Sequence, residues 1–279
     1  MLSDSKKKDS TVKIDLGSKA LLAELRLSVW TNTTSDESAC QVVAQVRNTN
    51  TSEDRYLRPI IPRQYTKAVN SAFRALYTFH KGYTLPWLDG GARVLPSSAF
   101  TTYTGTMRAL KDRAMLEVDR LLQRYPYIVV ERNIANAPSI DELRSKYGIR
   151  NSFLPFPDAD DFRIELDEET MTQIRSDAQQ SITEQITSAE QGLIAQLRER
   201  VQKMVDVLEP EHRMHSSVFD IANEMAVAGT HMNLTGNQRL AAVCNSIINF
   251  HAGFEIELAR KNDVYRLQAQ KQAEAILGI

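Results

Sequence analysis

The apolar positions change period several times along the chain, and each change marks an element. Leu21, Ala23, Leu25, Leu27 and Val29 alternate with Glu24, Arg26 and Ser28, the two-residue period of a strand that ends near Trp30. Thr34 with Glu37 reads as a capping box for a short helix through Arg47. Residues 48–54 form a polar loop, and Pro59 and Pro62 keep the next stretch extended. From Arg63 the spacing turns helical through Tyr65, Val69, Ala72, Phe73, Leu76 and Phe79, until Gly82 stops it. Short apolar runs on either side of Asp89-Gly90-Gly91 predict a hairpin over 83–96. Pro86 and Pro96 confine its strands to an edge or to their own ends. Ser97 or Ser98 can cap a long helix carrying Tyr103, Met107, Leu110, Ala114, Val118, Leu121 and Tyr125, which Pro126 is expected to end. Ser139 with Glu142 makes a second capping box, for a short helix closed by Gly148. Extended stretches follow at 153–157 and 162–166.

The longest regular pattern begins after Asp167. Met171, Ile174, Ala178, Ile182, Ile186, Ala189, Leu193, Leu197, Val201, Met204 and Leu208 recur every three or four residues among polar neighbours. That is one narrow apolar stripe on a helix of roughly 40 residues, about 60 Å long. Its repeat lies nearer eleven than seven, which favours nearly straight packing over a left-handed coiled coil. Pro210 stops it. A short helix at 217–227 comes next. Thr235 and Gln238 then frame a last long helix with Leu240, Val243, Ile247, Phe250, Phe254 and Leu258 as its stripe, running on towards Ile276. So narrow a stripe needs a partner, and the other long helices are the simplest one. The expected fold class is mainly α with a small β element (α+β). It would be an elongated bundle of long antiparallel helices with a short sheet or hairpin at one end. The chain then divides into a tail at 1–13, a basic α+β domain at 14–166 and a coiled-coil-like region at 167–279 packing back on the first part.

Composition changes this picture little: 279 residues, 42% hydrophobic and 25% charged, describe an ordinary folded chain. No apolar run approaches the roughly 20 residues that cross a bilayer. The opening is Ser/Lys/Asp-rich without an apolar core, so no signal peptide is expected. Cys40 and Cys244 then read as reduced thiols in a cytoplasmic protein, the host cytoplasm if the chain is phage-encoded. Charge changes it more. The net charge is −1, yet residues 1–135 hold 20 Lys+Arg against 13 Asp+Glu, and residues 136–279 hold 14 against 22. A half at +7 beside one at −8 suits a polyanion, or an acidic counterpart in the same molecule or in the next copy.

Candidate chemistry is sparse. His212 and His215 stand three apart, but Pro210 interrupts the helix that would aim them at one metal ion, and no His-Glu-x-x-His pattern exists. Asp158, Asp160 and Asp161 lack the glycine and closing glutamate of a calcium loop. No phosphate-cradling glycine motif or nucleophile elbow occurs. His80 reads as a partner of its helix's C-terminal dipole. No catalytic residue, metal or other cofactor is expected. The interaction candidates are Arg63, Lys67, Arg74, Arg108, Lys111 and Arg113 on basic helices, with Tyr83, Trp87 and Arg93 on the hairpin. Tyr, Trp and Arg dominate interaction hot spots and stack on bases, although Trp87 and Leu95 could equally close one end of a core.

The strand ending in Trp30, the Gly-Tyr-Thr-Leu-Pro segment at 82–86 and the long helices resemble, over roughly residues 16–270, a family of phage and mobile-element proteins encoded near MoxR-type AAA+ ATPases. That resemblance implies an accessory or assembly role, with an AAA+ ATPase as a possible partner, and brings no functional residue with it. Three functions are therefore expected in order: a non-enzymatic, self-associating interaction or assembly protein, an accessory to an AAA+ or recombination system; a DNA-binding protein, for single strands or duplex, working through the basic N-terminal half; and a virion structural protein.

Overall fold

A computed structural model describes residues 18–48, 56–87, 91–134, 137–156 and 168–279. The chain opens with β1 (Ala20–Ser28), β2 (Thr33–Ser35), α1 (Glu37–Arg47), β3 (Leu57–Pro59) and α2 (Arg63–Gly82). It continues through β4 (Leu85–Pro86), β5 (Ala92–Pro96), a 3-10 turn, α3 (Phe100–Glu131), α4 (Ile140–Ser145) and β6 (Gly148–Pro155). The last stretch is α5 (Glu168–Leu208), α6 (Ser216–Met232), α7 (Gln238–Gly253), α8 (Ile256–Lys261) and α9 (Asp263–Leu277). About 70% of the described residues are helical, beside an antiparallel sheet in the order β4-β5-β1-β6, so the mainly α class with a small β element holds. The 1–13 tail, most of the 48–54 loop, the Asp89-Gly90 turn, the Asp158–Asp161 acids and the strand expected at 162–166 lie outside the described residues.

The chain folds as two units, and neither is contiguous. The first takes residues 1–23, 82–100 and 153–279; the second takes 24–81 and 101–152. This differs from a division at 166, because the hairpin's Leu85, Trp87 and Val94 belong to the same core as α5. Of the long helices expected to pack together, α3 falls in the second unit. The stripe of α5 is covered instead by α6, α7 and α9. Ile186, Leu197, Val201 and Leu208 of α5 are fully buried with Ala222, Leu240, Ile247 and Ala273. At Gly229 of α6 an added Cβ would stand 2.8 Å from the Cys244 sulfur of α7, so glycine sets how closely that pair approaches.

Polar groups close the helix ends of this unit. Glu190 is fully buried on α5. Its carboxylate accepts the Leu234 and Thr235 backbone N–H groups at 2.9 Å and the Thr235 hydroxyl at 2.5 Å, fixing the α6–α7 connection. The last turn of α5 carries no basic residue. Arg266 of α9 takes its place, donating to the carbonyls of Val207, Leu208, Glu209 and His212. Arg198 of α5 donates in turn to the Leu277 carbonyl at the end of α9. Helix ends leave several carbonyls without partners, and each arginine supplies the missing donors from a neighbouring helix.

The second unit packs α2 and α3 with aromatic contacts. Trp30 meets Tyr125 edge-on at 6.2 Å, Phe79 stacks on Tyr103 at 5.6 Å, and Phe73 lies 5.9 Å from Tyr147. His80 is buried. Its Nδ1 lies 2.8 Å from the Tyr103 hydroxyl, so it is tied to a side chain of α3, where a partner for the helix dipole was expected. Asn32 is buried with φ at +54°, a conformation asparagine tolerates better than most residues. Its amide pairs with both backbone groups of Ile61, at 2.8 and 2.9 Å, as a strand would.

Several boundaries depart from the sequence pattern for local reasons. Asp36, rather than Thr34, caps α1 by accepting the Ala39 N–H. A 3-10 turn at Ser97–Ala99 without a side-chain cap leads into α3. Pro126 does not end α3, which runs on to Glu131 because Tyr125 and Ile128 are buried on either side of it. Asn133 then terminates the chain's turn in the left-handed region, φ +47°, while the Ile134 N–H reaches back to the Val129 carbonyl. β6 starts at Gly148, before the expected 153, and α6 extends past 227 to Met232. The last long helix is broken in two places. Phe254 is extended at the end of α7, and Asn262 is extended between α8 and α9, capping the latter through the Tyr265 N–H. Asn237, not Thr235, caps α7, because Thr235 is engaged by Glu190.

Candidate nucleic-acid interface

The two units carry opposite charge. The second holds 17 Lys+Arg against 11 Asp+Glu, a net of +6, which leaves the first at −7. The asymmetry read along the chain is therefore a property of folded units. The nine interaction candidates divide accordingly. Tyr83, Trp87 and Arg93 belong to the acidic unit, and the other six to the basic one.

The hairpin candidates are engaged within their own unit. Trp87 is 7% exposed, with its ring 4.8 Å from Phe156 in the core. The expectation that it anchors a partner is corrected, since a buried ring offers no surface. Arg93 donates through Nε to the Thr84 hydroxyl and through Nη2 to the Thr84 carbonyl, both at 2.6 Å, which holds β5 to the start of β4. Tyr83 is half-buried against the same core.

The basic helices behave differently. α2 is 20 residues long and contains no acidic residue. Its inner face buries Thr66, Val69, Ala72, Phe73, Leu76 and His80. At 100° per residue, Arg63, Lys67, Arg74 and Lys81 fall within about 40° of one another on the opposite face, over about 27 Å. All four are exposed. Lys81 lies 5.3 Å from the ring centre of exposed Tyr77 on that face. Among the described residues, the side chains of Arg63, Lys67 and Arg74 make no ion pair or hydrogen bond. Arginines of the acidic unit, by contrast, satisfy backbone carbonyls: Arg198, Arg239, Arg260 and Arg266 all do so. Nor do Arg63 and Lys67 help their own helix, unlike Lys81 in its last turn. Arg63 and Lys67 stand at its N-terminal end, where the macrodipole favours carboxylates.

On α3, Arg108, Lys111 and Arg113 are exposed but do not share a face, since Arg113 lies about 140° round the helix from Arg108. Arg113 aligns instead with Arg120 and Arg124 at i+7 and i+11, a spacing visible in the sequence that marks a second basic edge. Arg120 and Arg124 line an open cleft of about 510 Å³ between α2 and α3, together with Gln64, Tyr65, Ala68 and Ile128. Arg120 is paired with Glu117 at 2.6 Å; Arg124 has no side-chain partner among the described residues. Sequence reasoning placed Tyr65 in the core stripe and so missed this cleft.

Other chemistry does not assemble. Among the described residues no group of three or more His, Cys, Asp and Glu side chains could share a metal ion. His212 is exposed beside Glu209, 3.4 Å away, and His215 occupies the N-cap position of α6 without a side-chain capping bond. Burial pushes the Cys244 thiol up to about 11, which suppresses the reactive thiolate. No helix among the described residues is long and apolar enough to cross a membrane. No known protein family, curated protein or solved structure matches the chain.

Proposed function

We propose that the protein is a non-catalytic nucleic-acid-binding protein whose basic unit contacts the phosphate backbone through the outer face of α2. The supporting observation is the line of four exposed cations on a helix without a single acid, three of them with no side-chain partner among the described residues. Desolvated or paired cations would have a structural explanation; among the described residues Arg63, Lys67 and Arg74 have neither burial nor a side-chain partner. Trp87 is buried and offers no exposed aromatic to a partner, so the exposed α2 cations are what favour a polyanion as the counterpart of the charge asymmetry. Four phosphate contacts predict that log K falls with log salt at a slope of about −3 on single strands and about −3.6 on duplex. Fluorescence anisotropy with a labelled oligonucleotide between about 50 and 200 mM salt reads that slope. Each of Arg63→Ala, Lys67→Ala and Arg74→Ala should reduce it by about one without changing thermal stability. Binding whose slope ignores the triple variant, or no binding at 50 mM salt, would overturn the proposal.

A further inference from the structure

The cleft beside α2 says which form of nucleic acid the surface takes. We infer that the protein binds single strands, with one unstacked nucleotide entering the α2–α3 cleft; this rests on the backbone reading above and deepens it. The cleft adjoins the basic line, because Gln64 and Ala68 on its wall follow directly after Arg63 and Lys67 in the helix. Its floor is apolar: Val69, Leu121 and Ile128 are all nearly fully buried. Its volume, about 510 Å³, falls within the range of small-ligand sites. Half-buried Tyr65 lines it and offers a face for stacking, the interaction by which single-strand binders hold bases whatever their sequence. Gln64 supplies an amide that can both donate to and accept from a base edge.

Charge is distributed to match. At the cleft, Arg120 and Arg124 outnumber Glu117, and Arg124 is the cation left unneutralised. A phosphate attached to the inserted nucleotide would pair with Arg124, while the flanking phosphates follow Lys67 and Arg63. An apolar floor with a cationic rim fits a flat, weakly polar ring carrying an anionic link. It does not fit an intact duplex, whose bases are stacked and out of reach. The same chemistry is present in a free nucleotide, so the two sources have to be separated.

The experiment compares a short single strand, the same sequence as duplex, and the corresponding nucleoside monophosphate, by anisotropy and competition at fixed salt. Ala68 is exposed on a helix surface, so Ala68→Trp should fill the cleft without disturbing the fold, as a thermal melt will check. The expected result is tighter binding of the single strand than of the duplex. Ala68→Trp and Arg124→Ala should each weaken it, roughly 5- to 150-fold where a full base contact is lost, and leave duplex binding unchanged. Competition by the free monophosphate at concentrations far below those expected from its charge would instead assign the cleft to a free nucleotide. If Ala68→Trp leaves single-strand binding intact while the Arg63/Lys67/Arg74 triple variant abolishes it, the cleft inference fails and the α2 reading stands. If the cleft variants abolish binding and the triple variant does not, the α2 reading fails. Equal affinity for duplex and single strand overturns the inference outright.

Discussion

Individual side chains carry much of the architecture, and the most consequential are charged or polar. Glu190 is a carboxylate with no exposure, held by three donors from one connection. Removing one partner of a buried hydrogen-bonded group leaves the others unsatisfied, at about 1–3 kcal/mol each. Glu190→Ala should therefore lower the chemical denaturation midpoint markedly, by several kcal/mol, while Glu190→Gln, which keeps one oxygen for the two N–H groups, should recover part of it. Equal stability of wild type and Glu190→Ala would show that the connection holds itself. A second residue-scale expectation concerns alkali. Burial raises the Tyr103 and Tyr147 hydroxyls to about 12, from 10.0. A raised value means that the folded state keeps protons the unfolded chain has lost. Stability is thus complete below about pH 10 and falls between pH 10 and 12, by about 2–3 kcal/mol for each ring. The Tyr147 hydroxyl is buried without a hydrogen-bond partner among the described residues. Tyr147→Phe should accordingly be neutral or stabilising near pH 7 and should flatten the alkaline loss. A steeper loss in that variant would show that the hydroxyl is engaged.

Among the elements, α5 shows how far periodicity carries. Its 41-residue extent and its stripe were readable because one three-or-four spacing persists from Met171 to Leu208. What covers the stripe was not readable. Burial is complete from Ile186 onwards, but Met171, Ile174 and Ala178 stay half-exposed. Ile186→Ala should cost about 2–5 kcal/mol in a denaturant titration, and Ile174→Ala much less. Comparable losses at the two positions would mean that the first turns are covered as well. The remaining misreadings share a cause. Pro126 carries a strong local stop signal, overridden by the burial of Tyr125 and Ile128. Phe254 and Asn262 interrupt what a local pattern shows as one helix, because the packing of α9 against α5 requires the chain to change direction. Glu190 and Arg266 look like ordinary solvated charges in sequence, since nothing local reveals that their partners lie more than 40 residues away.

At the scale of the whole molecule, the charge asymmetry was legible from counting alone and became sharper when assigned to units. The candidate site was legible only in part. The α2 cations stand out from an acid-free segment, but the cleft depends on α3 lying beside α2, which no local pattern encodes. The hairpin aromatics were the stronger signal by residue type, yet Trp87 lies in the core, because residue type alone does not separate a hot spot from a core.

The discontinuous division has a consequence for synthesis. The basic unit is complete once residue 152 has been made, whereas the acidic unit lacks all five of its α5–α9 segments at that moment. The 127 residues from Phe153 to the end take roughly 6–25 s at about 5–20 residues per second. Until those helices have been made, β1's first residues and the hairpin lack the cover that buries Leu22, Leu85, Trp87 and Val94. The nascent chain thus carries a finished cationic unit beside an apolar hairpin awaiting its cover.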